Sequence, residues 1–445
     1  MSQVLEENPR EEALRRAAWW LDGNFAPVTD EVEAFDLEVE GALPPELTGV
    51  YMRNGPNPKS GASPHWFVGD GMLHGVRLER GRARWYRNRF VQTPRLREPQ
   101  PAGDPSEIMD RTRSAANTSI VRHAGRFLAL EEAHFPCEVT GALETIGPVN
   151  FESKLTTAFT AHPKFCPETG EMLAFGYGFM PPLLTYYRFG RDGRLAQATE
   201  IPVGGPTMIH DFCATRRHAI FMDLPIVFDM ELAMKGAMPY RWSDDYQARL
   251  GVMPREGSAD QIRWFDIAPC YIFHAMNAYE EGNSVVLDAA RYERLWDRGW
   301  GDSRARLHRF TLDLESGRAS EQELDDRPIE FPRVADATAG FKHRYGYAPM
   351  APGERDENFS LGRQLLKFDF ESGATKVCDF GGMKHPGEFV HAGEEDGGWL
   401  MGFVHDEGTK KSSFVMLDAS DMKPVASVAL PQRVPYGFHG NWFAD

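Results

Sequence analysis

The chain has 445 residues, 42% of them hydrophobic and 12% aromatic, with a formal net charge of -16 and a pI near 5.4. So acidic a protein repels phosphate backbones and anionic headgroups, which excludes nucleic acid as a partner. A neutral apolar molecule meets no such barrier, and the aromatic content supplies walls for a pocket that would take one.

In chain order, Leu14, Ala17, Ala18 and Leu21 recur at helical spacing and predict a short helix over residues 10 to 22. From about Leu37 the pattern turns to strands: GVYMRN, RFLALEE, EMLAFGYG, AIFMDLPI, NSVVLDAA and GWLMGFV, set apart by Gly, Asp and Pro. The stretch DLPIVFDMELAMKGAMPYRW at 223 to 242 holds Ile226, Val227, Phe228, Met230, Leu232, Met234 and Met238. It reads either as a cap helix packed on a core or as an apolar patch that touches a membrane transiently. A strand–turn–strand unit recurs in YYRFGRDGRLAQATEI, LHRFTLDLESGRASEQEL, LLKFDFESGATKVCDF and FVMLDASDMKPVASVAL. Recurring hairpins signal a propeller or a large sandwich, and blades of about 45 to 60 residues would number roughly seven to nine here.

The five cysteines, Cys137, Cys166, Cys213, Cys270 and Cys378, include no C-x-x-C pair and read as free core thiols. The opening MSQVLEENPREEALRRAAWW has no signal-peptide core, and no segment reaches about 18 uninterrupted apolar residues, so a cytoplasmic location is expected, with membrane contact at most peripheral.

Four of the fourteen histidines lie among apolar or small residues: His162 in TAHPKF, His210 in TMIHDF, His274 in YIFHAMNAYEEGN and His439 in PYGFHGNWF. Singly, each reads as a hydrogen-bonded core histidine, and their separations match no local metal motif. A radial fold needs no local spacing, because the innermost strand of every blade faces one axis. Four neutral imidazoles on one divalent ion would leave its charge uncompensated, and carboxylates behind the rings are the usual remedy. Glu132 in LALEEAHFP, Glu330 in IEFPRV and Glu388 in HPGEFV are the candidates, each in an apolar run where a lone carboxylate would cost several kcal/mol.

The runs GVYMRNGPNP at 49 to 58, HWFVGDGMLHGVRL at 65 to 78, SAANTSIVRHAGRFLALEEAHFP at 114 to 136, TAHPKFCPETGEMLAFGY at 160 to 177, MIHDF at 208 to 212, FHAMNAYEEGN at 273 to 283, EFPRV at 330 to 334 and GFHGNWF at 437 to 443 resemble the carotenoid cleavage oxygenases. The resemblance implies an all-β fold, a seven-bladed β-propeller with a helical and loop cap over its active face, formed by residues 1–445 as one domain. It implies one iron(II) per chain held by His162, His210, His274 and His439, with Glu132, Glu330 and Glu388 behind three of the rings and His162 without such a partner. Thr118, in the ANTS run, matches a threonine whose methyl sits beside the open coordination position in many members. Four ligands on an octahedral ion leave room for dioxygen as co-substrate. The chain carries no G-x-G-x-x-G opening a helix and no Walker sequence, in keeping with a reaction that uses no nucleotide or flavin.

Family members divide between long polyenes and small phenolic alkenes such as stilbenes, isoeugenol or 4-vinylguaiacol. Those that cleave hydroxystilbenes carry a lysine before the first glutamate; here that position is Glu131, which cannot stabilise phenolate charge. The expected substrate is therefore a carotenoid or apocarotenoid, an apolar alkene taken without an obligate protein partner, and a phenylpropanoid or stilbene-type alkene is the alternative. Two rivals stay open: an isomerohydrolase that uses the same site as a Lewis acid, and a metal-free binding propeller whose histidines are satisfied core groups.

Overall fold

The computed structural model of the protein describes residues 18–100, 104, 106–235, 238–297, 302–351 and 361–445. Among these residues, seven β-sheets of three to six strands follow one another along the chain, with one separate two-stranded hairpin. The second blade runs from Ser119–His123 outward to Thr145–Pro148, the third from Lys164–Phe165 to Leu195–Glu200, and the fourth from Cys213–Ala214 to Arg263–Asp266. The fifth runs from Tyr271–Glu281 to Ala319–Pro328 and the sixth from Tyr345–Pro349 to Ala374–Asp379. The architecture is the expected seven-bladed propeller.

Both ends of the chain close the ring. The last strand, Gly440–Ala444, pairs antiparallel with Gly49–Pro56 in the first blade, Met52 opposite Asn441. In the seventh blade Val39–Gly41 adds to the outer edge of Pro424–Ala429. Closure gives every blade a neighbour on each side, so that no blade face is left uncovered.

Blades pack face against face, so their inner strands are buried on both sides and read as continuous apolar runs. Gly49–Pro56 is buried throughout and Met172–Tyr177 nearly so, whereas the outer Leu195–Glu200 alternates half-buried and exposed. All five cysteines are buried and free. The four hairpins expected from sequence form, at Leu184–Phe189 with Leu195–Glu200, Arg306–Asp313 with Ala319–Pro328, Gln364–Asp369 with Ala374–Asp379, and Lys411–Asp418 with Pro424–Ala429. Three turn on a glycine at positive φ: Gly193, Gly317 and Gly373. The fourth has no glycine and places Met422 there instead, at φ 66°.

Two expectations are corrected or limited. The helix expected over residues 10 to 22 lies mostly outside the described residues, which begin with short 3-10 turns at Trp19–Leu21 and Gly23–Phe25. The cap is made of loops and a hairpin more than of helices. Over 223 to 242 the chain forms Ile226–Phe228 paired with Tyr240–Trp242, and between them a five-residue helix, Met230–Met234. Ile226 is fully buried, but Met230 is 54% and Met234 82% exposed, so the segment is not one buried cap helix. No helix of the described residues is long and apolar enough to cross a membrane.

Candidate metal centre

Three of the four histidines stand just ahead of an innermost strand: His162 before Lys164–Phe165, His210 before Cys213–Ala214 and His439 before Gly440–Ala444. His274 lies within one, Tyr271–Glu281, at a break in pairing where the register with the next strand shifts between Ile272 and Ala275 and again before Asn277. Irregularities of this kind re-aim a side chain out of the pleat. Together they bring the four rings to one point, with a ligand nitrogen from each lying within 4.8 Å of the other three.

His162 Nε2 is 3.0 Å from His210 Nε2, which is 3.3 Å from His274 Nε2. On the far side of the rings, His274 Nδ1 donates to Glu330 Oε2 at 2.5 Å and His439 Nδ1 to Glu388 Oε1 at 2.9 Å, while His210 Nδ1 abuts Glu132 Oε1. A carboxylate at Nδ1 keeps the proton there and leaves Nε2 with its lone pair facing the centre. Lone pairs converging at such distances repel unless a cation sits among them. Nitrogens about 2.1 Å from a divalent ion stand about 3.0 Å apart when their bonds meet at right angles, so the spacing fits a shared metal.

The electrostatics agree. Burial and the neighbouring rings hold His162 well below the usual histidine pKa, so its ring is neutral and free to ligate. Burial pulls His274 down, but Glu330 outweighs it and raises the ring above its ordinary value. Glu388 is opposed by burial, yet Arg333 and His439 hold it at about 2. The three glutamates, with Arg333 set 3.5 Å from Glu388, leave two negative charges behind the rings, enough to balance a divalent ion.

The glutamates do not sit inside strands as their apolar contexts suggest. Glu132 follows Arg126–Leu130, Glu330 follows Ala319–Pro328, and Glu388 lies between Lys384–Pro386 and Val390–Ala392. A strand residue points across its blade, whereas a residue just past the strand end can turn toward the axis. Glu330 and Glu388 are nonetheless 3% exposed, and each is filled with donors: Tyr292 Oη at 2.6 Å and Phe331 N–H at 2.8 Å for Glu330, Gly440 N–H at 2.8 Å for Glu388. Tyr177 Oη donates to Glu132 Oε2 at 2.6 Å. Tyr177, Tyr292 and Arg333 were not singled out from sequence, where a hydroxyl partner leaves no spacing signal.

A cavity of about 170 Å³ opens on His210, His274 and His439 from the cap side. Its wall is mainly aromatic, with Trp66, Phe67, Tyr240 and Phe438 among its residues. Trp66 and Phe67 come from the turn Trp66–Val68 and pack on Phe438, next to His439, with ring centroids 4.7 and 5.7 Å apart. Thr118 borders the cavity; its hydroxyl donates to Asn117 at 2.9 Å and its carbonyl accepts the His439 N–H at 3.1 Å, which leaves the methyl as the uncommitted end. Glu131 also borders it, but its carboxylate turns to His134 Nδ1 and, at 3.0 Å, to Ala133 N–H. Burial works to raise the Glu131 pKa, and His134 outweighs it and lowers it. No Lys or Arg lines this cavity among the described residues.

A seven-bladed propeller with four convergent histidines at its axis and a largely apolar cavity beside them is the architecture of a class, the propeller dioxygenases. The family model described as retinal pigment epithelial membrane protein matches residues 25–444. A Mycobacterium tuberculosis protein named carotenoid cleavage oxygenase is 38% identical over 95% of this chain and 97% of its own length. An Arabidopsis thaliana carotenoid 9,10(9',10')-cleavage dioxygenase is 37% identical over 94% of this chain and 89% of its own. Among solved structures, Pseudomonas brassicacearum lignostilbene dioxygenase superposes with a TM-score of 0.87 over 100% of both chains at 28% identity. Cobalt-substituted Synechocystis apocarotenoid oxygenase does so with 0.83 over 94% of this chain and 97% of that one, at 26% identity. The chain belongs to the carotenoid cleavage oxygenase family and is an oxidoreductase of the dioxygenase class.

Proposed function

We propose that the protein holds one iron(II) with His162, His210, His274 and His439 and cleaves a carbon–carbon double bond of a carotenoid or apocarotenoid with dioxygen, giving two carbonyl products. The carrying observation is the convergence of four histidine ring nitrogens beside a largely apolar cavity whose wall, among the described residues, carries no Lys or Arg. A phenol that reacts as its anion would find Glu131, Glu132 and Glu330 there and no cation to take up its charge, whereas a neutral polyene needs none.

Bound iron(II) supplies the one-electron chemistry that triplet dioxygen needs to react with a closed-shell alkene. The protein's part is positional. Glu330 and Glu388 accept the Nδ1 protons of His274 and His439, and Glu132 lies against His210 Nδ1, which aims the ring lone pairs. The aromatic wall binds the alkene by contact alone and keeps water out. Thr118 offers a methyl rather than its hydroxyl at the border of the cavity, so it guides access without hydrogen bonding. One dioxygen and one double bond make two C=O groups, and no external reductant enters the balance.

A second reading, cleavage of a small aromatic alkene, is favoured by the modest cavity of about 170 Å³ and by the likeness to lignostilbene dioxygenase. Incubating the iron-loaded protein aerobically with an apocarotenal, resveratrol and isoeugenol, and separating products by HPLC, decides between them. Apocarotenal cleavage at the highest kcat/KM is expected; turnover of the phenols alone would replace this reading with the second. With ¹⁸O₂, label must enter both carbonyls. Unlabelled products would point to an isomerohydrolase, and no turnover with no bound metal to a binding propeller.

A further inference from the structure

A second, more polar cavity of about 360 Å³ reaches His162, His274 and His439 from the other end of the axis. Asp211 lies on its wall, next to His210 and only 2% exposed, and both of its carboxylate oxygens are engaged. Oδ1 takes Lys164 Nζ at 2.6 Å and the Phe212 N–H at 2.8 Å; Oδ2 takes the Ala275 N–H at 2.9 Å. Lys164 is two residues past His162, and Ala275 directly follows His274. A single carboxylate thus ties together the segments that carry three of the four histidines, each from a different blade.

Those segments need such a tie. Innermost strands of neighbouring blades do not pair with one another, so sheet hydrogen bonds fix each ligand only within its own blade. The innermost strands beside His162 and His210 are two residues long, and pairing beside His274 is interrupted. His162 also has no carboxylate on its ring among the described contacts, so its anchorage comes from its chain neighbours. We infer that Asp211 is a positioning residue that sets the mutual spacing of His162, His210 and His274 across three blades, with Lys164 as its link to His162. The inference rests on the reading that these histidines hold a divalent metal.

Anaerobic titration of the metal-free full-length protein with Co²⁺, read by the visible d–d absorption bands, tests both the affinity and the ligand arrangement. Asp211→Asn is expected to weaken binding roughly ten- to hundredfold and to change band positions and intensity, because groups behind a ligand tune its placement. Lys164→Met separates positioning from charge. Removing a cation near the site would tighten Co²⁺ binding if the pair acted only through its field; loss of the tie predicts binding several-fold weaker and an altered spectrum. Lys164 is 26% exposed, so this variant decides the matter even if Asp211→Asn does not fold. A wild-type spectrum with unchanged or tighter binding in Lys164→Met overturns the tie across three blades while leaving the metal centre intact. Failure of the unaltered protein to bind Co²⁺ would instead remove the metal reading and this inference with it.

Discussion

At the scale of single residues, the centre consists of rings aimed by carboxylates, and those carboxylates are themselves aimed. Glu330 accepts from His274, from Tyr292 and from a backbone N–H, so both of its oxygens are held. Glu330→Gln sets an amide where the ring proton must be accepted, and Glu388→Gln does the same behind His439. Each is expected to lower iron retention or kcat/KM roughly ten- to hundredfold, measured by metal content and steady-state rates; unchanged values in both would remove the glutamates from the centre. Tyr292→Phe deletes one hydrogen bond to a carboxylate, worth about 1.5–3 kcal/mol, and should cost roughly tenfold or more. The residues legible in sequence were those with a strong local oddity, an imidazole or carboxylate in an apolar run. Tyr177, Tyr292, Arg333 and Asp211 looked ordinary, because what marks them is a partner dozens of residues away.

At the scale of elements, sequence pattern gave the hairpins with their turns, and less of what lies between them. Glycine at positive φ marks Gly193, Gly317 and Gly373, but Met422 takes the same conformation without any such mark. The glutamates looked like strand residues because alternation does not show where a strand ends. Nor does any residue type mark the interrupted pairing that turns His274 to the axis. The strand Gly440–Ala444 carries the closure of the ring and buries Phe443, which is 6% exposed. Ending the chain at His439 keeps the fourth histidine of the cluster but opens the first blade. Loss of roughly 3–5 kcal/mol, the cost of deleting a buried phenylalanine, is the minimum expected. Thermal unfolding by circular dichroism should show a Tm several degrees lower; an unchanged Tm would mean that the ring does not depend on this strand.

At the scale of the whole molecule, the propeller explains why no motif of fixed spacing announces the site. Residues from four blades meet because each blade turns its innermost segment to the axis, and the apolar and polar cavities reach that point from opposite ends. A metal held there would bind only the closed ring, and metal and fold would then stabilise each other. Metal at one hundred times its Kd adds about 2.7 kcal/mol of stability, a few degrees in Tm, and chelation should remove it. Equal melting with and without chelator would show that the rings are satisfied without an ion.

The most direct measurement is X-ray absorption on protein loaded with Fe²⁺ under anaerobic conditions, with metal content determined on the same sample. One iron per chain, its inner coordination dominated by four imidazoles and without sulfur, is the expected result. Iron below about a tenth of an equivalent, or a carboxylate- or thiolate-rich environment around it, would contradict the four-histidine centre.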